Sequence, residues 1–289
     1  MSREITIDPI TRLEGHGKIS IFLDDDGAVE DCYFQIPELR GFERFVEGRP
    51  IEELPRIVTR ICGVCPASHH MASAKAVDGC FDWQVPLLAH KLREMYYNAH
   101  YIHSHIAHFY ALAAPDFVCG PDADPAERNI LGVVAKVGLE IGGKVIEARS
   151  QAQRIQTIIG GRSTHLVWCL PGGVSKGLKK EELEEIRPLV ANLYDFTQFS
   201  LQLFRDVVLG NEAYVDLILN GPYSLRIHSM GLVDDDNRVN FYDGQVRVVD
   251  TEGAELHRYD PEDYRDYVAE RVERWSYLKF PYLKHKGWS

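Results

Sequence analysis

No run of eighteen apolar residues occurs in this sequence, which argues against a membrane-spanning helix. The longest apolar stretch, from Ile130 to Ile146, is broken by Lys136, Glu140 and Lys144. The opening Met1-Ser2-Arg3-Glu4-Ile5 lacks the apolar core of a secretory signal, so a reducing cytoplasm is the expected compartment. Positive charge is in short supply. Against 43 Asp and Glu stand 32 Lys and Arg, for a net charge of -11, and a surface this acidic disfavours nucleic acid and anionic membranes as partners. Cysteines are also few, six in all, and in a reducing compartment they are expected as thiols or metal ligands rather than disulfides. Internal repeats and low-complexity tracts are missing. What remains is a chain of 289 residues, 45% hydrophobic and 26% charged, enough for one large domain or two small ones.

Apolar periodicity supplies the fold class. Ile5, Ile7, Ile19, Ile21 and Leu23 alternate with polar residues up to the turn Asp24-Asp25-Asp26-Gly27, and Val29, Cys32 and Phe34 alternate after it, which predicts a β-hairpin region within 1-40. From Phe42 the period becomes helical. Helices are predicted over Ala67 to Phe81 and Leu87 to Leu112, the second ended by Pro115. A third is predicted from Pro125, capped by Asp124, to about Ile158, where Gly160-Gly161 stops it. A fourth spans Glu181 to Val208 with a kink at Pro188. Strand alternation returns at 238-260 through Val239, Phe241, Val246, Val248, Leu256 and Tyr259, predicting a three-stranded meander, and a last helix is expected from Pro261 to Trp275. The sum is a mainly α, long-helix core with small antiparallel β elements at the N-terminus and near 238-260, α+β overall. It reads as a single domain over 1-289 with a helical core at 41-210 and a terminal helix and tail at 261-289.

Cys62-Gly63-Val64-Cys65 is the most informative motif. Two thiolates at this spacing bite one soft metal ion, because the intervening turn brings both sulfurs to one point. Half a zinc site, a thioredoxin-like redox pair, part of a cluster site, or two buried cysteines without a role all share the spacing. A closed zinc site needs four ligands, and Cys32, Cys80, Cys119 and Cys169 are isolated. A thioredoxin pair follows a strand in a βαβ pattern, whereas this region reads as helical. A dithiolate half-site that needs further ligands is what remains. The histidines His100, His103, His105 and His108 sit at helical spacing with no acidic partner on their face, and read as a polar lining of the helical core rather than a metal site.

The flanks, Arg60-Ile61-Cys62-Gly63-Val64-Cys65-Pro66-Ala67-Ser68-His69, resemble the Arg-x-Cys-Gly-x-Cys-x-x-x-His signature of nickel–iron hydrogenase large subunits. Asp8-Pro9-Ile10-Thr11-Arg12-Leu13-Glu14-Gly15-His16-Gly17 and Arg40-Gly41-Phe42-Glu43 resemble that family too, in its order and at its spacing, and the β-meander and the ending Trp275 to Tyr282 look like its cytoplasmic branch. The resemblance implies reversible oxidation of H2. It implies Cys62 as a terminal nickel ligand and Cys65 as a bridge between nickel and iron, with carbon monoxide and cyanide completing the iron. It implies His69 hydrogen-bonded to a cysteine sulfur, Arg60 as a fixed cation beside the centre, Glu14 as the first proton carrier and Glu43 as a carboxylate ligand to magnesium. The helix with the histidines would lie beside the active site, with Ser104 where the periplasmic branch has an aspartate. Iron–sulfur clusters would reside in a small subunit, since this chain has no cluster-binding cysteine set. Electrons would pass on to heterodisulfide-reductase-like, nicotinamide-linked or deazaflavin-linked subunits. The family's final Asp-Pro-Cys-x-x-Cys is not in this sequence: Asp8-Pro9, Asp124-Pro125 and Asp260-Pro261 have no cysteine after them. The other two nickel ligands are therefore expected from a C-terminal large-subunit segment or a separate chain. Two rival readings are a cofactor-free structural or quinone-handling subunit of the same fold, and a zinc-binding scaffold.

Overall fold

A computed structural model describes residues 3–222 and 224–288. Among them no helix is long and apolar enough to cross a membrane. The chain divides into two compact units, Met1–Glu38 with Pro222–Ser289 and Leu39–Gly221, where the sequence suggested one domain.

The first unit is built from antiparallel strands. β1 (Arg3–Ile7), β2 (Lys18–Leu23) and β3 (Val29–Gln35) form a sheet in sequence order, with Ile5 opposite Ile21 and Ile7 opposite Ile19. The alternating isoleucines therefore do share one face, and the expected hairpin gains a third strand. Around the turn, Asp24 Oδ1 accepts the amides of Asp26 and Ala28, and Gly27 takes φ 83°.

The second unit carries the helices. Two short ones, α1 (Phe42–Phe45) and α2 (Leu54–Ile57), lead to α3 (Pro66–Cys80), entered through a proline at its first position. α4 (Leu87–Ala107) follows and continues in wider π-type turns through His108–Ala113 and Pro115–Cys119. Pro115 thus does not end the helical path, because a ring at the first position of a new turn displaces no amide that the turn needs. The third expected helix is two: α5 (Ile130–Val137) and α6 (Leu139–Gly160), separated by Gly138 at φ 90°, ψ 157°. Its cap is Asn129, whose side chain accepts the amides of Leu131 and Gly132, while Asp124 closes a turn upstream by accepting the amide of Ala126. A two-residue-per-strand hairpin, β4 (Cys169–Leu170) and β5 (Gly173–Val174), precedes α7 (Lys180–Phe204) and α8 (Glu212–Asn220). α4 packs along α6, α6 against α7 and α3 against α4. Their seam buries Met71, Ala74, Val77, Tyr96, Ala152, Ile155, Ile159 and Trp168, with Tyr96 and Trp168 ring centroids 5.7 Å apart.

The chain then returns to the first unit. The meander is β6 (Ser229–Val233), β7 (Gln245–Val249) and β8 (Glu255–Tyr259), antiparallel in that order. Its first strand lies upstream of the expected 238-260, since Val239 makes a bridge to Val233 and the next residues turn. The expected Pro261-to-Trp275 helix is a correction. Only Tyr264–Tyr267 (α9) is α-helical, and β9 (Val268–Val272) pairs with β10 (Lys279–Leu283) as a hairpin. The acidic, tyrosine-rich start resembles a helix in periodicity, but Val268 to Val272 gain cross-strand partners that a helix would deny them. Phe34 N–H donates to Trp275 O at 2.8 Å and Tyr277 N–H to Phe34 O at 3.3 Å, which joins this segment to β3.

Candidate metal centre

Cys62 and Cys65 lie on the turn between the 3-10 segment Val58–Arg60 and α3. Gly63 and Val64 make the turn, while Pro66 and Ala67 are buried and anchor its far side. Cys65 caps α3, and the amides of Ser68 and His69 both reach its carbonyl, at 3.1 and 3.4 Å. The Cys65 amide in turn donates to Cys62 Sγ at 3.1 Å. One helical turn on, His69 completes a cluster: the ligand atoms of Cys62, Cys65 and His69 all lie within 4.8 Å of one another. Among the described residues this is the one group of three or more His, Cys, Asp or Glu with such geometry.

The donor chemistry suits a soft or borderline metal. Two sulfurs and an imidazole favour nickel, iron or zinc over magnesium or calcium. Burial holds His69 below the usual histidine range, which keeps the ring neutral and able to ligate or to donate one hydrogen bond. The positive end of the 15-residue helix α3 favours negative charge on the sulfur of its cap. The two sulfurs are in direct contact as a disulfide, where the sequence led us to expect thiolates. The turn that brings them to one point for an ion also brings them against each other. The other four cysteines are free, as expected. Cys169 is buried beside Met71, its Sγ 4.0 Å from the thioether sulfur, and burial pushes its thiol up to about 12, so it stays protonated.

Behind the cluster stands a polar scaffold that sequence reasoning missed. His70, adjacent to His69 but about 100° further round the helix, points into the core and is fully buried. Its Nδ1–H donates to Pro55 O at 2.7 Å, which leaves Nε2 to accept the amides of Cys169 at 3.0 Å and Trp168 at 3.4 Å. One ring therefore fixes α2, α3 and β4 together. Asp78, at the far end of α3, accepts from buried Arg93 of α4 at 2.5 Å and from the amide of Gly172 at 2.6 Å. Arg93 also donates to the carbonyls of Leu170 and Gly173, both at 2.8 Å. The only sequence signal was a histidine doublet, and charged residues on two helices with no hint of pairing.

The remaining candidates fall elsewhere. Arg60 is exposed and donates to Thr59 Oγ1 at 2.6 Å; Thr59, fully buried, passes the bond to Arg56 O at 2.7 Å. Glu43 is exposed in α1 and is not part of the thiolate–imidazole cluster. Glu14 is exposed on the loop between β1 and β2, in the other unit. On α4, His100 and His103 are buried, and His105 is exposed. His103 Nε2 accepts from Arg149 Nε at 3.0 Å, so in the neutral ring Nδ1 carries the proton, and it has no partner among the described residues. Burial pushes His100 and His103 down to about 4. His100 and His103 thus line the core as the sequence suggested, whereas His105 and His108, expected in the same lining, are exposed.

Residues 40–133 match the family described as nickel-dependent hydrogenase, and residues 4–39 match one described as HoxL-like. The chain is 48% identical over 286 residues to the iron–sulfur subunit of the F420-non-reducing hydrogenase of Archaeoglobus profundus, covering 99% of this chain and 59% of that protein. It is 42% identical over 285 residues to one subunit of the F420-non-reducing hydrogenase vhu of Methanocaldococcus jannaschii, covering 99% of this chain and 67% of that protein. The crystal structure of an NAD+-reducing [NiFe]-hydrogenase in the H2-reduced state superposes with a TM-score of 0.89 at 38% identity, over 99% of this chain and 62% of that one. The chain thus spans roughly 59 to 67% of the length of these relatives.

Proposed function

This chain belongs to the nickel-dependent hydrogenase large-subunit family, and on that premise we propose that it forms the N-terminal portion of a catalytic large subunit that oxidises H2 reversibly to two protons and two electrons. The observation that carries the reading is the Cys62–Cys65–His69 donor set at the foot of α3. Its two sulfurs and imidazole fit a nickel–iron group. When bound, that group, with carbon monoxide and cyanide on the iron, supplies the soft redox-active site at which H2 is split. With their disulfide opened by a two-electron reductant of the reducing compartment, the Cys62 and Cys65 thiolates would hold the group. His69, neutral through burial, hydrogen-bonds a sulfur and moderates its charge. Pro66, His70 and Thr59 hold the ligand turn in place. The other nickel ligands come from a further large-subunit segment or chain.

Glu14 takes and gives the proton in this reading. Glu14 is exposed on the loop between β1 and β2, and its carboxyl is a group that can both accept and release a proton. Arg60 supplies fixed positive charge close in sequence to the thiolates. Glu43 would contribute one carboxylate to a magnesium ion, which needs further oxygen ligands besides it. Electrons leave through an iron–sulfur small subunit for a nicotinamide-linked, deazaflavin-linked or heterodisulfide-reductase-like acceptor, in the cytoplasm. The relatives' names support a hydrogenase over a cofactor-free structural subunit, and the cluster of two cysteines and one histidine found among the described residues falls short of a closed zinc site. H2/D2 exchange by the assembled protein, with Cys65→Ser as the inactive control, tests the reading. Exchange equal to the parent in Cys65→Ser would refute it.

A further inference from the structure

A second nitrogen-rich cluster lies far along the sequence from the cysteines, within the strand-built unit. His257 of β8 and His285, on the turn after β10, face each other with ring centroids 4.3 Å apart. His257 Nε2 is 3.0 Å from His285 Nδ1 and 3.3 Å from His285 Nε2. Two imidazole nitrogens bound to one tetrahedral ion at about 2.05 Å stand roughly 3.3 Å apart. The pair already has the edge length of such a site, and either nitrogen of His285 is in reach.

The rings are held by more than each other. His257 stands edge-on to Tyr267 at 5.4 Å, and Tyr267 stacks on Tyr259 at 4.0 Å. His257 also lies opposite Val248 in the meander. On the other side, the turn bearing His285 is pinned at its start by Lys284 N–H donating to Tyr267 O at 2.8 Å. It is closed by Lys286 and Gly287 amides on Leu283 O at 3.0 and 3.1 Å. Gly287, at φ 72°, lets the chain make that turn. Both ligands are thus presented by backbone that does not have to move. The other charged or titratable groups acting on His285 are His228 and Lys286.

We propose that His257 and His285 form a metal site for a borderline divalent transition ion, zinc or nickel, that clamps the 283–287 turn onto β8. Imidazole nitrogens select this class over magnesium or calcium, and the exposed position leaves the remaining coordination sites to water. The inference is independent of the cysteine centre. The test therefore uses the full chain with Cys62→Ser and Cys65→Ser, which removes the thiolates from the titration. Zinc chloride and nickel chloride are titrated separately by calorimetry, alongside thermal melts. One saturable equivalent is expected, with a rise in melting temperature on binding. Loss of a direct ligand exceeds the roughly 10–100-fold cost of losing an outer hydrogen-bond partner, so His257→Gln and His285→Gln should each weaken binding at least that much. His105→Gln, an exposed histidine on α4, should change nothing. Absence of a saturable equivalent, unchanged affinity in the His257 and His285 variants, or an equal loss in His105→Gln would each overturn the proposal, leaving a histidine pair that only shares a proton.

Discussion

Single atoms decide most at Cys65 and Glu14. An oxygen ligand is a poor substitute for a thiolate toward soft metals, so Cys65→Ser in the assembled protein should abolish nickel binding and lower iron to what the small subunit's clusters hold. Cys169→Ser should leave both metals in place, because the Cys169 thiol is buried and held protonated beside Met71. Elemental analysis of the purified variants separates the two. Glu14→Gln preserves shape and most hydrogen bonds but cannot exchange a proton, so metal content should survive while H2 uptake falls on the order of 10²-fold or more. A fully metallated Glu14→Gln protein turning over at the parent rate would return Glu14 to a surface role. Asp78 carries a structural prediction. Removing it leaves Arg93, fully buried, without its carboxylate, and Asp78→Ala should cost about 3–5 kcal/mol in denaturant unfolding. A loss under about 1 kcal/mol would show that the carbonyls of Leu170 and Gly173 satisfy Arg93 without it.

At the scale of elements, the break between α5 and α6 rests on Gly138. Its φ of 90° and ψ of 157° lie in a region closed to other residues, so Gly138→Ala should cost about 1–3 kcal/mol although space for a methyl is open. Equal stability would mean that the two helices can fuse, as the apolar pattern of 125–158 suggested. α4 carries a pH dependence. His100 and His103 sit at about 4 in the folded protein, chiefly through burial, against the ordinary value near 6.5. Between those values the unfolded chain binds protons that the folded chain does not, so stability is full above about pH 6.5 and declines as pH falls toward 4. Urea midpoints across that range should fall in the parent and fall less in a His100→Asn, His103→Asn variant. Long helices were legible because their apolar spacing persists over many turns, and the cysteine turn because Cys-x-x-Cys before a proline is local chemistry. The final hairpin was not, because Tyr264 to Trp275 alternates weakly and its strand character comes from pairing with Lys279–Leu283, a contact across sequence. The Asp78–Arg93 pair and His70 were hidden for the same reason: each partner lies on another element.

Over the whole molecule, the chain assembles a strand-built unit from its two ends and a helical unit from its middle, and Cys62, Cys65 and His69 sit in the second. The chain spans 59 to 67% of its relatives' length, and on the proposed function the two cysteine sulfurs of the cluster found among its described residues supply part of the centre, the other ligands coming from a further segment or chain. The isolated chain should therefore bind no nickel–iron centre, and the missing ligands, supplied in trans with the maturation machinery, should restore it. The half-centre reading is tested most directly by nickel and iron content of the assembled protein, measured by elemental mass spectrometry in the parent and in Cys65→Ser. Nickel is expected in the parent and not in the variant, with the variant's iron reduced to what the small subunit's clusters hold. Nickel retained in Cys65→Ser at the parent level would contradict it.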